Sequence, residues 1–160
     1  MTALSQASQI SHRALGWILT VCGAVGLTAA GILSIEKYRL LTNPFYAPSC
    51  NVNAAINCGT VMQSDQAAAF GFPNPYIGLV GFAVVLTIGV GVLSGARFSR
   101  WFWWGLATGV AAGLAFVGWL AVQSIVVIEA LCPYCMAVWA VMLVLAGTMI
   151  RVVVRGPGVS

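Results

Sequence analysis

Four stretches of the chain are apolar over membrane length. Ala14–Ile35, Tyr76–Ala96, Trp101–Ile128 and Tyr134–Ile150 contain no Asp, Glu, Lys, Arg or His. A helix needs about 17 to 25 such residues to cross a hydrocarbon layer of about 30 Å, so the pattern predicts four spans, over about residues 14–36, 76–96, 101–128 and 134–150. Arg13 precedes the first run as in a signal peptide, but the run exceeds the roughly 7 to 15 apolar residues of such a leader. It is read as a span. The expected fold class is an all-α membrane protein, one integral domain over residues 1–160, with a long loop over 37–75.

Composition supports this reading. Of 160 residues, 61% are hydrophobic and 6% charged, with a mean hydropathy of +0.98. Soluble domains carry about 25% charged residues, so a water-soluble enzyme is excluded. Seven Lys and Arg against three Asp and Glu give a net charge of +4, too sparse for a nucleic-acid face. The basic residues instead report orientation. Arg13, Arg97, Arg100, Arg151 and Arg155 flank span ends that share one side, and only Lys37 and Arg39 fall on the other. The positive-inside rule then puts both termini in the cytoplasm of a plasma (inner) membrane. The 37–75 loop and the Glu129–Pro133 turn are extracytoplasmic. Trp101, Trp103 and Trp104 beside Arg100 fit an interfacial aromatic belt.

Gly105, Gly109 and Gly113 recur every four residues in span three, and Gly91 and Gly95 repeat the step once. Such spacing predicts close approach of a neighbouring helix and has no resemblance to a nucleotide-binding turn. With no ionisable side chain of the Asp, Glu, Lys, Arg or His kind inside any span, a proton or ion pathway has nothing to run on.

The cysteines carry the chemistry. Cys22 lies within span one and reads as a small buried residue. Cys50, Cys58, Cys132 and Cys135 all fall on the expected outer face, where disulfides persist. In Cys132-Pro133-Tyr134-Cys135 the proline suits the first helical position. That sets Cys132 near a helix N-cap and Cys135 one turn inside, where partial positive charge favours thiolate. As a structural staple a four-residue ring does little, because disulfide stabilisation grows with the logarithm of loop length. Cys50 and Cys58 alone would make an ordinary brace, yet two dithiol pairs on one face can exchange through mixed disulfides. A tetrathiolate zinc site is the third reading, against which stand the Cys50–Cys58 spacing and an oxidising compartment.

Electrons taken from thiols need an acceptor. The chain has no Rossmann turn for flavin or nicotinamide, and its one histidine, His12, lies on the wrong side for haem. By elimination the acceptor is a lipid-soluble quinone, with Trp139, one turn beyond Cys135, offering an indole N–H.

At these residues the chain resembles the bacterial branch of the vitamin K epoxide reductase family. The resemblance rests on Cys50 and Cys58 in the first outer loop, the run Cys58-Gly59-Thr60-Val61-Met62-Gln63-Ser64, the Phe70-Gly71-Phe72-Pro73-Asn74-Pro75 entry to span two, and Cys132 to Cys135. It covers all but the tails. The other bacterial thiol-to-quinone family, typified by disulfide bond protein B, has its cysteine pairs in the reverse order. The resemblance implies a four-transmembrane-helix bundle around a quinone of the menaquinone or vitamin K type, with a short helical cap from the first loop. It implies that Cys50 exchanges with a thioredoxin-fold (DsbA-like) partner, Cys58 shuttles to Cys132, and Cys135 faces the quinone. Ser64 matches the family's loop serine, supporting the cap and the cysteine transfer. Asn74 matches a position whose amide can bond a quinone carbonyl, and it reads equally as a turn residue between two prolines.

Trp139 stands where vertebrate members that reduce the epoxide have tyrosine, so epoxide reduction is not expected. The tail after Arg155 is too short for the fused thioredoxin-like domain of some members, so the partner is expected in trans. The expected activity is membrane thiol:quinone oxidoreduction in support of disulfide formation, with Asp65 and Glu129 read as solvating. The alternative is a non-enzymatic tetraspan scaffold with structural disulfides, in which Cys132 and Cys135 stay permanently paired.

Overall fold

The computed structural model describes residues 11–43 and 45–155, and among these the chain is helical with no strand. Helix α1 spans His12–Thr42, a short α2 Cys58–Gln63, α3 Pro75–Leu93, α4 Arg100–Val122 and α5 Pro133–Arg155. A π-helical turn, Gln123–Val127, extends α4. With it, α1, α3, α4 and α5 are each long and apolar enough to cross a membrane. The expected tail beyond Arg155 lies outside the described residues.

The helix ends have local causes. Ser11 Oγ accepts from Ala14 N–H at 3.2 Å, capping α1. Pro75 and Pro133 open α3 and α5, where a missing N–H is harmless. Gly95, at φ 92°, turns the chain after α3. At its far end α1 runs on through Glu36, Lys37 and Arg39 to Thr42, so the expected start of the loop is helical. The charges end the apolar window, not the backbone hydrogen bonding.

Two helix pairs make the bundle: α1 with α3, and α4 with α5, joined where α1 also packs on α5. Leu15, Leu19, Val85, Val92, Leu145 and Met149 are among the buried core. The α1–α3 contact is close because glycines meet backbone. A Cβ at Gly23 would stand 2.6 Å from Leu86 N, and one at Gly89 2.5 Å from Thr20 N.

The glycine stripe expected to perform this role does not. A Cβ at Gly105 or Gly109 would meet nothing within 4 Å, and at Gly113 only Met142 Cε at 3.0 Å. Gly91 faces Ala96 and Phe98 of its own turn, and Gly95 faces open space. Helices α3 and α4 do not form a packed pair, and the space beside the stripe is a cavity. Of the expected aromatic belt, Trp101 and Trp104 are exposed but Trp103 is buried, edge-on to Phe98.

Candidate functional site

The loop after α1 folds back over the end of the bundle where α3 and α5 begin, and three sets of hydrogen bonds fix it there. The buried Glu36 carboxylate accepts from Tyr46 Oη at 2.8 Å and Ser49 Oγ at 3.3 Å, which ties down the segment leading into Cys50. Lys37 Nζ donates to Met62 O at 2.5 Å, holding the last turn of α2. Asn57 N–H donates to Leu131 O at 3.0 Å, and Leu131 N–H to Ala55 O at 2.8 Å. This last pair sets the loop alongside the segment before α5.

That segment is itself held. Glu129 adopts φ 54°, a left-handed conformation that reverses the chain after α4. Ser124, in the π-turn, both donates to Ala130 O through its hydroxyl and accepts from Ala130 N–H through its carbonyl. With Ala55–Asn57 and Leu131 paired, the next residues of the two strands of chain, Cys58 and Cys132, fall side by side.

Cys50 and Cys58 form a disulfide, while Cys132 and Cys135 are free thiols. The Sγ atoms of Cys58 and Cys132 lie 3.2 Å apart. Cys50, Cys58 and Cys132 are all buried, packed with Leu33 and Met62 and flanked by Tyr134 and Cys135. Cys132 O accepts from Met136 N–H at 3.0 Å, the first bond of α5, so Cys132 sits at the helix start and Cys135 one turn in. The Cys135 thiol, donating to Cys132, pulls the Cys132 thiol down to about 7, helped by the Cys135 and Tyr134 backbone N–H groups and opposed by burial. A thiol so tuned is largely thiolate just above neutrality and leaves readily from a disulfide.

The sulfurs of Cys50, Cys58 and Cys132 lie within 4.8 Å of one another. Because two of them are bonded together, the group presents one free thiol to a metal. Cys135, hydrogen-bonded to Cys132, lines a cavity of about 780 Å³, within the size range of small-molecule sites.

The cavity wall is apolar and drawn from all four long helices and the cap. Val85, Phe116, Val138 and Trp139 contribute to it, and so do Gly105, Gly109 and Gly113. The stripe's missing side chains are therefore what keeps this space open.

Asn74 and Ser64 also line the cavity. Asn74 Nδ2 donates to Gln66 O at 2.6 Å and its Oδ1 accepts from Ala69 N–H at 3.1 Å, so its amide organises the turn into α3. Ser64 Oγ donates to Val61 O at 2.8 Å, closing α2 where a 3₁₀ turn, Asp65–Ala68, begins. The hydrogen bonds of both go to backbone groups. Glu36 and Lys37 were not among the expected site residues. Their signal in the sequence was a pair of charges at the end of a span, indistinguishable there from a solvated edge.

Residues 17–150, most of the chain, match the family model described as the vitamin K epoxide reductase family. No curated protein matches the chain by sequence.

Proposed function

The chain belongs to the vitamin K epoxide reductase family, whose members are thiol oxidoreductases, and on that premise we propose that it is a quinone-dependent thiol oxidase for a thioredoxin-fold partner. The observation that carries the reading is the 3.2 Å approach of Cys58 Sγ to Cys132 Sγ, with Cys135 on the cavity wall beyond.

The exchange proceeds through mixed disulfides. A partner dithiol reduces Cys50–Cys58 and leaves as the partner disulfide. The Cys58 thiolate attacks Cys132 of the oxidised Cys132–Cys135 pair, forming Cys58–Cys132 and releasing Cys135. Cys50 then attacks Cys58 and expels Cys132 as thiolate, for which a pKa of about 7 suits it. A loop disulfide beside free Cys132 and Cys135 is the arrangement that follows this transfer. A quinone bound in the cavity supplies the two-electron acceptor for the Cys132–Cys135 dithiol.

In this reading Cys135 meets the ring, Trp139 and Phe116 flank it, and the glycine face of α4 accommodates its tail. Menaquinone or a vitamin K-type quinone suits the apolar wall. The positive-inside distribution of Arg13, Arg97, Arg100, Arg151 and Arg155 supports cytoplasmic termini and a cap that faces outward, where a secreted partner in trans meets Cys50. Thiol trapping tests the path: with the partner's reduced form, Cys132→Ser should accumulate a reduced loop pair that no quinone reoxidises. A loop pair that quinone reoxidises at the parent rate in that variant would break the relay.

A further inference from the structure

Among the described residues that line the cavity, Lys37 alone carries a charge. Two observations on it are independent of each other. It is half-buried near the end of α1 with Met62 O as its one hydrogen-bond acceptor, which leaves two of the three ammonium N–H groups free. Among the described residues no carboxylate pairs with it, and its neighbour Glu36 is turned to Tyr46 and Ser49. A cation on an apolar wall is costly to hold without a counter-ion.

Of the other polar side chains on the wall, Ser64 bonds Val61, Asn74 bonds Gln66 and Ala69, and Ser124 bonds Ala130, which leaves the Gln66 amide and the Trp101 and Trp139 indoles as uncharged donors beside the Lys37 cation. Lys37 reaches α2 next to the cluster that holds Cys58 and Cys132 and is flanked by Cys135, so its charge belongs to the thiol end of the cavity.

We propose that Lys37 is a catalytic residue of quinone reduction, its ammonium holding the quinone oxygen on which negative charge arrives and giving that oxygen a proton. This rests on the thiol-to-quinone reading above. Two electrons leave Cys132 and Cys135 as their disulfide forms, and the quinone takes them with two protons to become quinol. One proton comes from Lys37 and one from the Cys135 thiol. Lys37 is reprotonated from solvent at the cap end, balanced by the proton that Cys132 releases. A preorganised cation in a water-poor site does this better than bulk water, because no solvent has to reorganise.

The test separates charge from shape. Binding of two probes of similar size to the full-length protein in lipid is followed by tryptophan quenching: neutral 2-methyl-1,4-naphthoquinone and a 2-hydroxy-1,4-naphthoquinone, an anion at neutral pH. Lys37→Gln keeps a donor for Met62 O and removes the charge, while Lys37→Arg keeps both. The expected result is that Lys37→Gln weakens the anion by about tenfold or more, a change of one decade in Kd, and leaves the neutral probe within about twofold. Dithiol-driven kcat should fall similarly, and Lys37→Arg should restore most of each. Equal binding of both probes by parent and Lys37→Gln, with equal kcat, overturns the proposal while the oxidase reading stands. Equal loss of both probes, unrescued by arginine, makes Lys37 a structural cap and also overturns it. A parent protein that reduces neither quinone fails the oxidase reading itself, and the proposal with it.

Discussion

The backbone N–H of Asn57 donates to the carbonyl of Leu131 at 3.0 Å, and each of these residues immediately precedes a cysteine of the central contact. Cys58 and Cys132 are 74 positions apart in sequence. Their approach is set by backbone pairing between a loop and the entry to α5, not by the cysteines themselves. The backbone pairing holds the two residues adjacent without a bond between their sulfurs.

Removal of the Cys58 sulfur should separate the two half-reactions. Cys58→Ala is expected to abolish oxidation of a thioredoxin-fold partner, because the mixed disulfide with Cys132 has no sulfur to form on. Oxidation of a small dithiol that reaches Cys132–Cys135 directly should continue. Stopped-flow assays with each donor check both; unchanged partner oxidation would take Cys58 out of the path.

The Cys132 thiol should titrate near 7 when the loop disulfide is intact. Its thiolate is lost as pH falls through that value and gained as pH rises, so attack of Cys132 on the loop disulfide, the reverse of the transfer proposed above, should slow below about pH 7 and level off above about pH 8. Thiolate absorbance in a Cys22→Ala background reads the midpoint. Because the Cys135 thiol is the main cause of the shift, Cys135→Ala should move the midpoint upward by about one unit or more, in line with thiols that lose a stabilising hydrogen bond. An unmoved midpoint would assign the shift to the backbone.

Tyr46→Phe removes a hydroxyl that donates to the buried Glu36 carboxylate. A hydrogen bond to a charged group is worth about 1.5–3 kcal/mol, and here the cost falls on the loop, not on the bundle. Hydrogen exchange over residues 45–53 should quicken, and external dithiols should reduce the buried Cys50–Cys58 disulfide faster. Unchanged exchange in this segment would mean that other contacts hold it.

Two glycine substitutions should behave in opposite ways. Gly23→Ala drives a methyl group into the α3 backbone, and overpacking of that kind costs about 1–3 kcal/mol. It should lower the melting temperature. Gly109→Leu meets open space and should leave the fold intact, but it fills the cavity and should raise the quinone KM by about tenfold, or 1.4 kcal/mol.

These contrasts also show what the sequence made legible. Long uncharged runs identified the four helices, because hydropathy reads desolvation directly. The cysteine spacing and the proline after Cys132 marked a helix-mouth thiol pair. Periodicity also found the Gly105–Gly109–Gly113 face, yet an empty face looks the same in sequence whether a backbone or a void lies opposite. Lys37 and Glu36 were hidden for a related reason. A hydropathy window stops at the first charges, whereas α1 continues and turns one charge to the loop and the other to the cavity. Asn74 had two readings open, and its bonds to Gln66 and Ala69 explain its place in the turn.

The central claim is thiol-to-quinone transfer through Cys135, and it is tested most directly by quinone consumption. Purified protein in lipid is supplied with a dithiol donor, and the parent chain is compared with Cys135→Ala under matched folding by circular dichroism. The account predicts steady turnover in the parent and its loss in the folded variant. Absence of turnover in the parent with ubiquinone, menaquinone and vitamin K alike would contradict it.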